Sequence, residues 1–428
     1  MKHKIATMLI AASSALGAAA QTTDNFKYTD EKFADIQMLR YKVEGFDKLT
    51  LKEKTFIYYL QEAALEGRDI LFDQNGRYNL RIRALLEAVY TNYTGKHDDK
   101  FYKALAVYLK RVWFSSGIHH HYGCEKFLPD FTEQELRNAL HKIPADKLPL
   151  NGQSLDAFCN ELFPVIFNPE VMPMRVNQKD GEDLIQTSAC NYYAPGITQA
   201  EAEEFYAQRK PTNDPYPIMM GMNSRLERND YGMLTERVWR VGGMYTAAIE
   251  RIVDNLLKAR PFADTPEQQK VIDLLVETYR TGDLRTFDDY SIHWLKDTES
   301  MVDFTNYFTE SYGDPLGMKA SWEAIVNFKD IAATERTKKL SENAQWFEDN
   351  SPVAPEFKKE KVKGVSAKVI TAAILGGDLY PSTAIGINLP NSDWVRREFG
   401  SKSVTIGNLT DAYHKADRDM YRNKQLNR

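Results

Sequence analysis

Apolar residues recur every three to four positions along much of the chain, which is the spacing of amphipathic helices. The recurrence is regular between residues 29 and 115 and resumes between residues 132 and 166. Three segments open with a threonine that is followed three residues later by a glutamate, a capping box that predicts the start of a helix. These threonines are Thr50, Thr132 and Thr198. The pattern therefore predicts a largely helical protein.

Two further periodic segments predict long helices. Residues 231–259 carry an apolar stripe wide enough for a helix buried in a core, and residues 322–340 continue the same spacing. Residues 168–192 are polar and contain Pro and Gly, so we expect loops there. Residues 362–375 are rich in β-branched residues and residues 384–389 form a short apolar run, which predicts strands. The expected fold class is α+β, mainly helical, with a small sheet near the C-terminal end.

The first twenty residues have the features of a secretory signal. Lys2 and Lys4 precede a short apolar run, and small residues end that run before Gln21. We therefore expect residues 1–20 to be a signal peptide and the protein to be exported, with the periplasm as its compartment. No cysteine follows the run, and no later segment has the length and apolar character of a bilayer span, so no membrane anchor is expected.

Composition narrows the possible classes of function. Of the 428 residues, 43% are hydrophobic and 27% are charged, which are the proportions of a globular protein. The formal net charge is −5, without the clustered Lys and Arg of a nucleic-acid-binding surface, so no nucleic-acid partner is expected. The cysteines Cys124, Cys159 and Cys190 are too few and too widely spaced to predict a disulfide framework or a zinc ribbon.

The histidines do not form a recognisable metal site. His119, His120 and His121 are consecutive, and neighbouring side chains diverge on a helix or a strand, so the three cannot meet at one ion. A hydrogen-bonded polar turn is the simpler interpretation. None of the eight histidines stands in the H-E-x-x-H spacing that places two imidazoles on one helix face. Without a nucleophile elbow, a phosphate-binding loop or a dinucleotide fingerprint, these patterns alone predict no enzyme.

Two segments have side chains suited to recognising a peptide. In the first, Glu310 and Tyr312 flank a serine ahead of a Gly-Asp-Pro turn, and on an extended stretch they would face the same side. That pair could hold an ammonium and a carbonyl oxygen; the alternative is a helix end followed by a turn. In the second, a short apolar run from Gly386 leads to Asn388 and Asn391, whose amides offer donors and acceptors. The alternative there is a strand ending in an ordinary Asn-Pro turn.

Several short segments, taken together and in order, resemble the dipeptidyl-peptidase III family. The first are Ser116-Gly-Ile-His-His-His-Tyr122, Asn191-Tyr-Tyr with Gly196-Ile-Thr-Gln-Ala-Glu-Ala202, and Gly221-Met-Asn-Ser-Arg-Leu226. The others are Gly242-Gly-Met-Tyr245, His293-Trp-Leu-Lys-Asp297, Glu310-Ser-Tyr-Gly-Asp-Pro315 and Gly386-Ile-Asn-Leu-Pro-Asn391. Each is short, but the resemblance extends from about residue 30 to about residue 415. The exported form is similar to the versions found in gut-type bacteria.

The resemblance implies a zinc exopeptidase that releases dipeptides from the free N-terminus of short peptides. It also implies two lobes around a cleft, with a small β-core in the lower lobe. Glu310, Asn388 and Asn391 would hold the ammonium of the substrate, and Tyr312 would stabilise the scissile carbonyl as it becomes an oxyanion. The backbone from Gly386 to Asn388 would pair with the peptide as an added strand.

The chain departs from the family where the zinc-binding helix, H-E-x-x-x-H, is expected. Residues 412–417 are followed instead by a polar, basic and atypical tail over residues 418–428. We therefore expect a C-terminally truncated member that supplies recognition residues only. Zinc would belong to the full-length parent, and this chain would bind none and be inactive alone. Residues 21–340 would form the mainly helical lower lobe. Residues 341–417 would cross between lobes with the substrate-binding strand and include only the start of the upper lobe.

Two other classes of function stay open at this point. A non-catalytic peptide-binding protein derived from the same family would keep the recognition residues and lack the zinc helix. A structural role would also suit an exported, mainly helical protein. The sequence indicates neither the preferred peptide nor the oligomeric state.

Overall fold

The structure is a computed structural model and describes residues 26–362, 367–381 and 383–426. The predicted signal peptide and the last two residues of the predicted tail lie outside these ranges. The described chain divides into two compact units, one formed by residues 26–42 with 411–426 and the other by residues 43–410. The predicted domain boundary after residue 340 stays a prediction.

Helices form most of the regular structure in the described residues, which confirms the predicted fold class. The α-helices are α1 Leu51–Glu66, α2 Arg68–Asn75, α3 Asn79–Asn92, α4 Lys100–Phe114, α5 Glu133–Leu140, α6 Leu155–Phe167, α7 Gln199–Ala207, α8 Thr246–Ala259, α9 Pro266–Thr281, α10 Leu284–Lys296, α11 Ile331–Glu342, α12 Ala344–Asp349, α13 Asp393–Phe399 and α14 Gly407–Leu426. Single 3₁₀ turns lie at Phe46–Lys48, Ala145–Lys147, Arg260–Phe262 and Pro355–Phe357.

The strands form two hairpins and one larger sheet. They are β1 Thr29–Phe33, β2 Ile36–Leu39, β3 Ser224–Arg228, β4 Leu234–Val238, β5 Val302–Glu310, β6 Ser321–Lys329, β7 Ala367–Gly377, β8 Gly386–Leu389 and β9 Lys402–Ile406. The pairs β1–β2 and β3–β4 are antiparallel hairpins. The larger sheet has the strand order β5-β6-β7-β9-β8, in which only β7 and β9 are parallel.

The smaller unit consists of the β1–β2 hairpin and residues 411–426 of α14. Its buried residues are Tyr28, Ala412 and Ala416, against which Phe26, Leu39 and Tyr41 pack. The Lys415 ammonium also donates to the Tyr28 hydroxyl at 2.9 Å. The tail predicted as atypical therefore continues α14 as far as Leu426.

In the larger unit, two hydrophobic clusters support the sheet and the helices. One gathers α1, α8, α9 and α10 around β5 and β6, with Trp239 and Trp322 fully buried in it. The other is formed by α3 to α6 and includes Leu85, Leu109 and Phe158. Because both faces of β5 and β6 are buried, these strands lack the alternation of a half-exposed strand.

Strand β5, at one end of the larger sheet, approaches the last two strands in the strand order, β9 and β8. On β9, the Lys402 ammonium contacts the carboxylate of Asp303 on β5 at 2.9 Å. Just after β8, the amide of Asn391 donates to the carbonyl oxygen of Thr309 on β5 at 3.2 Å. The sheet therefore curls, and residues far apart in strand order meet at its end.

All three predicted capping boxes are confirmed. The side chains of Thr50, Thr132 and Thr198 each accept a hydrogen bond from the backbone N–H three residues later. The glutamate side chain at that position accepts a hydrogen bond from the backbone N–H of the threonine. The periodic segments that follow form α1, α5 and α7. The strand predicted at residues 362–375 corresponds to β7 from Ala367 onward, and residues 363–366 lie outside the described residues. The strand predicted at residues 384–389 corresponds to β8.

Two of the predicted long helices are wrong in part. Residues 231–259 contain β4 before α8 begins, because the turn around Gly232, with a φ of +76°, folds β3 and β4 into a hairpin. Residues 322–340 contain β6 before α11. The helical prediction from residue 29 is likewise wrong for β1 and β2. In the described part of the chain, no helix combines the length and apolar character needed to cross a bilayer.

Candidate functional site

The end of the curled sheet brings two of the predicted recognition residues together. Glu310 is the last residue of β5, and Asn391 lies two residues beyond β8. The Asn391 side-chain amide donates to the Thr309 carbonyl oxygen at 3.2 Å, and it lies beside the Glu310 carboxyl group, whose pKa a hydrogen bond from Asn391 lowers. Burial raises the pKa of Glu310, and this hydrogen bond opposes the shift by stabilising the carboxylate. A carboxylate and a neighbouring side-chain amide both carry oxygen acceptors suited to a cationic donor.

The other half of the predicted pair, Tyr312, is placed differently from the extended interpretation. The strand ends at Glu310, and Tyr312 lies in the turn between β5 and β6 with 82% of its surface exposed. The alternative of a helix end is also wrong, since a strand precedes the turn. The Tyr312 hydroxyl is therefore at the surface beside Glu310 and not against it.

A buried carboxylate holds this turn in shape. The Asp314 side chain accepts hydrogen bonds from the backbone N–H groups of Met318 at 2.9 Å and Lys319 at 2.8 Å, and from the Tyr193 hydroxyl at 3.0 Å. At the far end of the turn, the fully buried Lys319 ammonium donates to the Tyr206 hydroxyl at 2.6 Å and to other oxygen acceptors. The turn that carries Tyr312 is thus fixed to the core at both ends.

The strand predicted to pair with a peptide lies at the edge of the sheet. Gly386 and Asn388 on β8 pair with β9, opposite Thr405 and Ser403. Both are exposed, and no strand of the described chain pairs with the other edge of β8. The main-chain groups along that edge have the geometry needed to add another strand. The structure thus brings Asn391 close to Glu310, whereas the Asn388 side chain is exposed on β8.

Two acidic residues that the sequence did not point to lie beside Glu310. Glu323 is on β6 and is only 2% exposed. Asp378 follows β7 directly, and its backbone N–H donates to the Trp322 carbonyl oxygen at 3.0 Å. Burial raises the pKa of Glu323 strongly, and the negative charges of Glu310 and Asp378 raise it further. Three carboxyl groups from adjacent strands therefore form one acidic cluster.

Arg175 contributes the opposing charge. Burial raises the pKa of Asp378, and the positive charge of the Arg175 guanidinium opposes this shift together with a hydrogen bond from Ser321. Arg175 lies in the segment predicted to be loops, where no motif distinguished it. Glu323 and Asp378 were missed for a similar reason, since they lie on or beside strands with no local pattern of their own.

The three consecutive histidines form the predicted polar turn. His119 is 2% exposed, and its Nε2 lies 2.8 Å from the carbonyl oxygen of Met172. Nδ1 of His120 accepts from the backbone N–H of Tyr122 at 3.1 Å and of Gly123 at 3.0 Å. Across residues 26–362, 367–381 and 383–426, no group of three His, Cys, Asp or Glu side chains is arranged to hold a metal ion.

Comparison with known proteins identifies the family of the chain. Residues 189–426, more than half of the chain, match the family described as peptidase family M49. The chain belongs to peptidase family M49. The matched residues of this M49 chain include Glu310, Tyr312, the acidic cluster, β8 and Asn391. The resemblance to dipeptidyl-peptidase III is thereby confirmed at the level of the family.

Several relatives of this M49 protein are named dipeptidyl peptidase 3. The Dictyostelium discoideum protein is 26% identical over 399 residues, covering 86% of this chain and 54% of the relative. The human protein is 22% identical over 409 residues, covering 88% of this chain and 54% of the relative. The solved structure of DPP III from Caldithrix abyssi shares the fold with a TM-score of 0.62 at 19% identity, covering 86% of this chain and 57% of that one. The chain spans about half the length of the curated relatives it matches.

Proposed function

We propose that this chain binds the free N-terminus of short peptides as the substrate-recognising part of a dipeptidyl-peptidase III-type zinc exopeptidase. The contact between Glu310 and Asn391 is the observation that carries the proposal. An N-terminal ammonium has three donors and a positive charge, and this pair offers a carboxylate and an amide oxygen. The acidic cluster around Glu310 adds a negative potential that favours a cation.

The exposed edge of β8 supplies the second part of the proposal. A peptide whose ammonium reaches Glu310 could extend along Gly386 and Asn388 and pair through its main chain. Such pairing depends little on side chains, so it would suit many peptide sequences. We assign Tyr312, with its exposed hydroxyl two residues after Glu310, to the carbonyl of the peptide bond that is cut. A donor in that place would stabilise the developing oxyanion.

Zinc is implied by the family resemblance, and the described residues do not fit it. They include no cluster of three ligating side chains. We therefore assign no zinc ligand to this chain and no catalytic step to the metal. The proposal for the described residues is limited to binding and orienting the peptide, including the assignment of Tyr312. A non-catalytic peptide-binding protein would make the same contacts, and peptide binding is the property that both functions share.

Binding to matched peptides tests the proposal. A short peptide with a free N-terminus and its N-acetylated form differ only in the ammonium charge, so the chain should bind the free form more tightly at pH 7. Glu310→Gln removes a charged hydrogen-bond acceptor worth about 1.5–3 kcal/mol, so it should weaken the free peptide by roughly ten- to a hundredfold. The acetylated peptide should be little affected by this substitution.

A matched variant controls for the loss of a carboxylate. Glu277→Gln changes an exposed glutamate on α9, outside the acidic cluster, and should leave both affinities unchanged. Asn391→Ala should weaken the free peptide in the same direction as Glu310→Gln. Equal binding of free and acetylated peptides by the unmodified chain, measured by calorimetry, would refute the proposal.

A further inference from the structure

A β-bulge at the end of β5 determines which way Glu310 faces. Phe308 stands opposite Trp322 on β6, but Glu310 stands opposite Ser321, so β5 has one more residue than β6 across this interval. Residues directly opposite each other project from the same face of a sheet, and successive residues of a strand alternate between faces. The bulge therefore moves Glu310 to the face that Ser321 and Glu323 share. Without it, Glu310 would lie on the face of Phe308, which is fully buried in the core.

The bulge also makes a main-chain acceptor available. Thr309 is the extra residue, and its carbonyl oxygen accepts from the side-chain amide of Asn391 at 3.2 Å. The extra residue of a bulge is left out of the ladder, so its backbone groups can take partners outside the paired strand. One irregularity in β5 thus places Glu310 and receives Asn391, two of the residues to which we assign the peptide ammonium.

Opposite the bulge, β6 is held by a side chain in the place where a neighbouring strand would continue. The register between β6 and β7 begins at Glu323, beyond the residues that face the bulge. There the Gln74 side chain takes over, since its Nε2 donates to the Ala320 carbonyl oxygen at 3.0 Å and its Oε1 accepts from the Trp322 N–H at 2.8 Å. These two backbone groups flank Ser321. The amide of one glutamine therefore pairs with β6 as a strand would.

Gln74 is itself firmly held. It is 0% exposed, and its carbonyl oxygen accepts from the backbone N–H of Asn191 at 2.8 Å. The preceding residue, Asp73, accepts from the Tyr245 hydroxyl at 2.6 Å and from the Asn191 side chain at 3.0 Å. The end of α2 is thus fixed to distant segments, and Gln74 passes that fixed position on to β6.

We propose that Gln74 is a positioning residue of the ammonium site, whose side-chain amide holds β6 in register opposite the bulge and thereby directs Glu310 toward the peptide N-terminus. The inference rests on the proposed function. Gln74 need not touch the peptide, because it acts through the main chain of β6. It contributes to the geometry of binding, and the charge that attracts the ammonium remains that of Glu310.

Gln268 on α9 provides a matched control at the other end of β5. It is 1% exposed, its Nε2 donates to the Val302 carbonyl oxygen at 2.7 Å, and its Oε1 accepts from the Asp264 N–H at 2.8 Å. Gln268 thus makes the same two kinds of bond as Gln74, but at the first residue of β5, whereas Glu310 is the last. Gln74→Met and Gln268→Met each leave one backbone donor and one backbone acceptor unpaired, so both should lower the melting temperature by similar amounts.

Affinities for a free peptide and its N-acetylated form separate positioning from stability. The ratio of the two affinities is the readout, because a loss of stability alone leaves this ratio unchanged in the chain that is still folded. In Gln74→Met, assayed below its melting temperature, the preference for the free peptide should fall by about tenfold, at the lower end of the loss expected for Glu310→Gln. In Gln268→Met the preference should equal that of the unmodified chain. A folded Gln74→Met that keeps the full preference, or a Gln268→Met that loses as much of it, overturns the inference.

Hydrogen exchange of the unmodified chain provides a test that does not depend on the folding of Gln74→Met. If a fixed β6 favours binding at Glu310, binding must in turn stabilise β6, because such coupling is reciprocal. At equal occupancy, the free peptide should therefore slow exchange in residues 320–322 more than the acetylated peptide does. Exchange at Asp264 should respond to neither. Equal exchange with the two peptides would contradict the coupling. If the unmodified chain prefers the free peptide but neither test responds as expected, the inference alone fails. If it shows no such preference, the proposed function fails as well.

Discussion

Acid should destabilise this fold through one buried histidine. His119 is 2% exposed, and its Nε2 is placed to donate to the Met172 carbonyl oxygen at 2.8 Å. That arrangement leaves Nδ1 without a proton, and among the described residues Nδ1 has no hydrogen-bond partner. Burial lowers the pKa of His119 to about 4, and the nearby charges of Arg175 and Lys126 act in the same direction. The imidazole is therefore neutral in the folded protein at neutral pH.

The size and sign of the effect follow from the two pKa values. An unfolded histidine titrates near pH 6.5, whereas folded His119 titrates near pH 4. Between these values the unfolded state binds more protons than the folded state, so the free energy of unfolding falls as the pH falls. A difference of about 2.5 pH units corresponds to roughly 3 kcal/mol, at 1.36 kcal/mol per unit. This contribution is fully present above pH 6.5 and lost by pH 4.

Denaturant unfolding at several pH values measures this contribution. His119→Gln can still donate to the Met172 carbonyl oxygen but does not titrate. The free energy of unfolding of the unmodified chain, relative to that of the variant, should therefore fall by about 3 kcal/mol between pH 7 and pH 4. Carboxylates titrate in both proteins and cancel in the comparison. His141→Gln, at an exposed histidine, should show no such change. Parallel pH curves for the unmodified chain and His119→Gln would refute the reasoning.

Four other outcomes are expected. Burial raises the pKa of Asp288 to about 6, so ionising this carboxyl group above pH 6 destabilises the folded protein. Asp288→Asn should therefore stabilise the fold by up to about 3 kcal/mol at pH 7.5 and by little near pH 3.5. Denaturant unfolding at both pH values checks this. Tyr312→Phe should leave the melting temperature and the peptide affinity unchanged, because its exposed hydroxyl would act only as the carbonyl becomes an oxyanion. Gly377 and Gly152 both have positive φ, but only a Cβ at Gly377 would lie 2.2 Å from a backbone oxygen. Gly377→Ala should therefore lower the free energy of unfolding by about 1–3 kcal/mol more than Gly152→Ala, as measured by thermal unfolding. N-terminal sequencing of exported protein should begin near Gln21, and an intact Met1 would contradict removal of the signal.

Local chemistry was a good guide to where helices begin. Thr50, Thr132 and Thr198 each start a helix, because a capping box satisfies backbone N–H groups that no helical turn can reach. The burial of a strand by residues distant in the sequence could not be predicted from local patterns in the same way. Trp322 and the residues after it form a strand that is buried on both faces, so its apolar positions show no period of two. The following helix, α11, made the whole segment look periodic.

The site was predictable in so far as its residues belong to recognisable motifs. Glu310 and Asn391 were named from the family resemblance, and the fold places their side chains in contact. Glu323, Asp378 and Arg175 carry no local pattern and become neighbours only when the sheet and the loops assemble. No spacing along the chain encodes such a meeting, because 148 positions separate Arg175 from Glu323 (323 − 175).

The curl of the sheet determines whether a site exists at all. Glu310 and Asn391 leave β5 and β8, which stand at opposite ends of the strand order, so a flat sheet would hold them several strands apart. The contact of Lys402 with Asp303 at 2.9 Å joins β5 to β9, the neighbour of β8, near the other end of β5 from Glu310. Because Lys402 is almost completely buried, its ammonium depends on that carboxylate for compensation. The charge pair in the core and the acceptor pair at the surface are therefore two consequences of one curvature, and recognition of an ammonium would depend on the packing that maintains it.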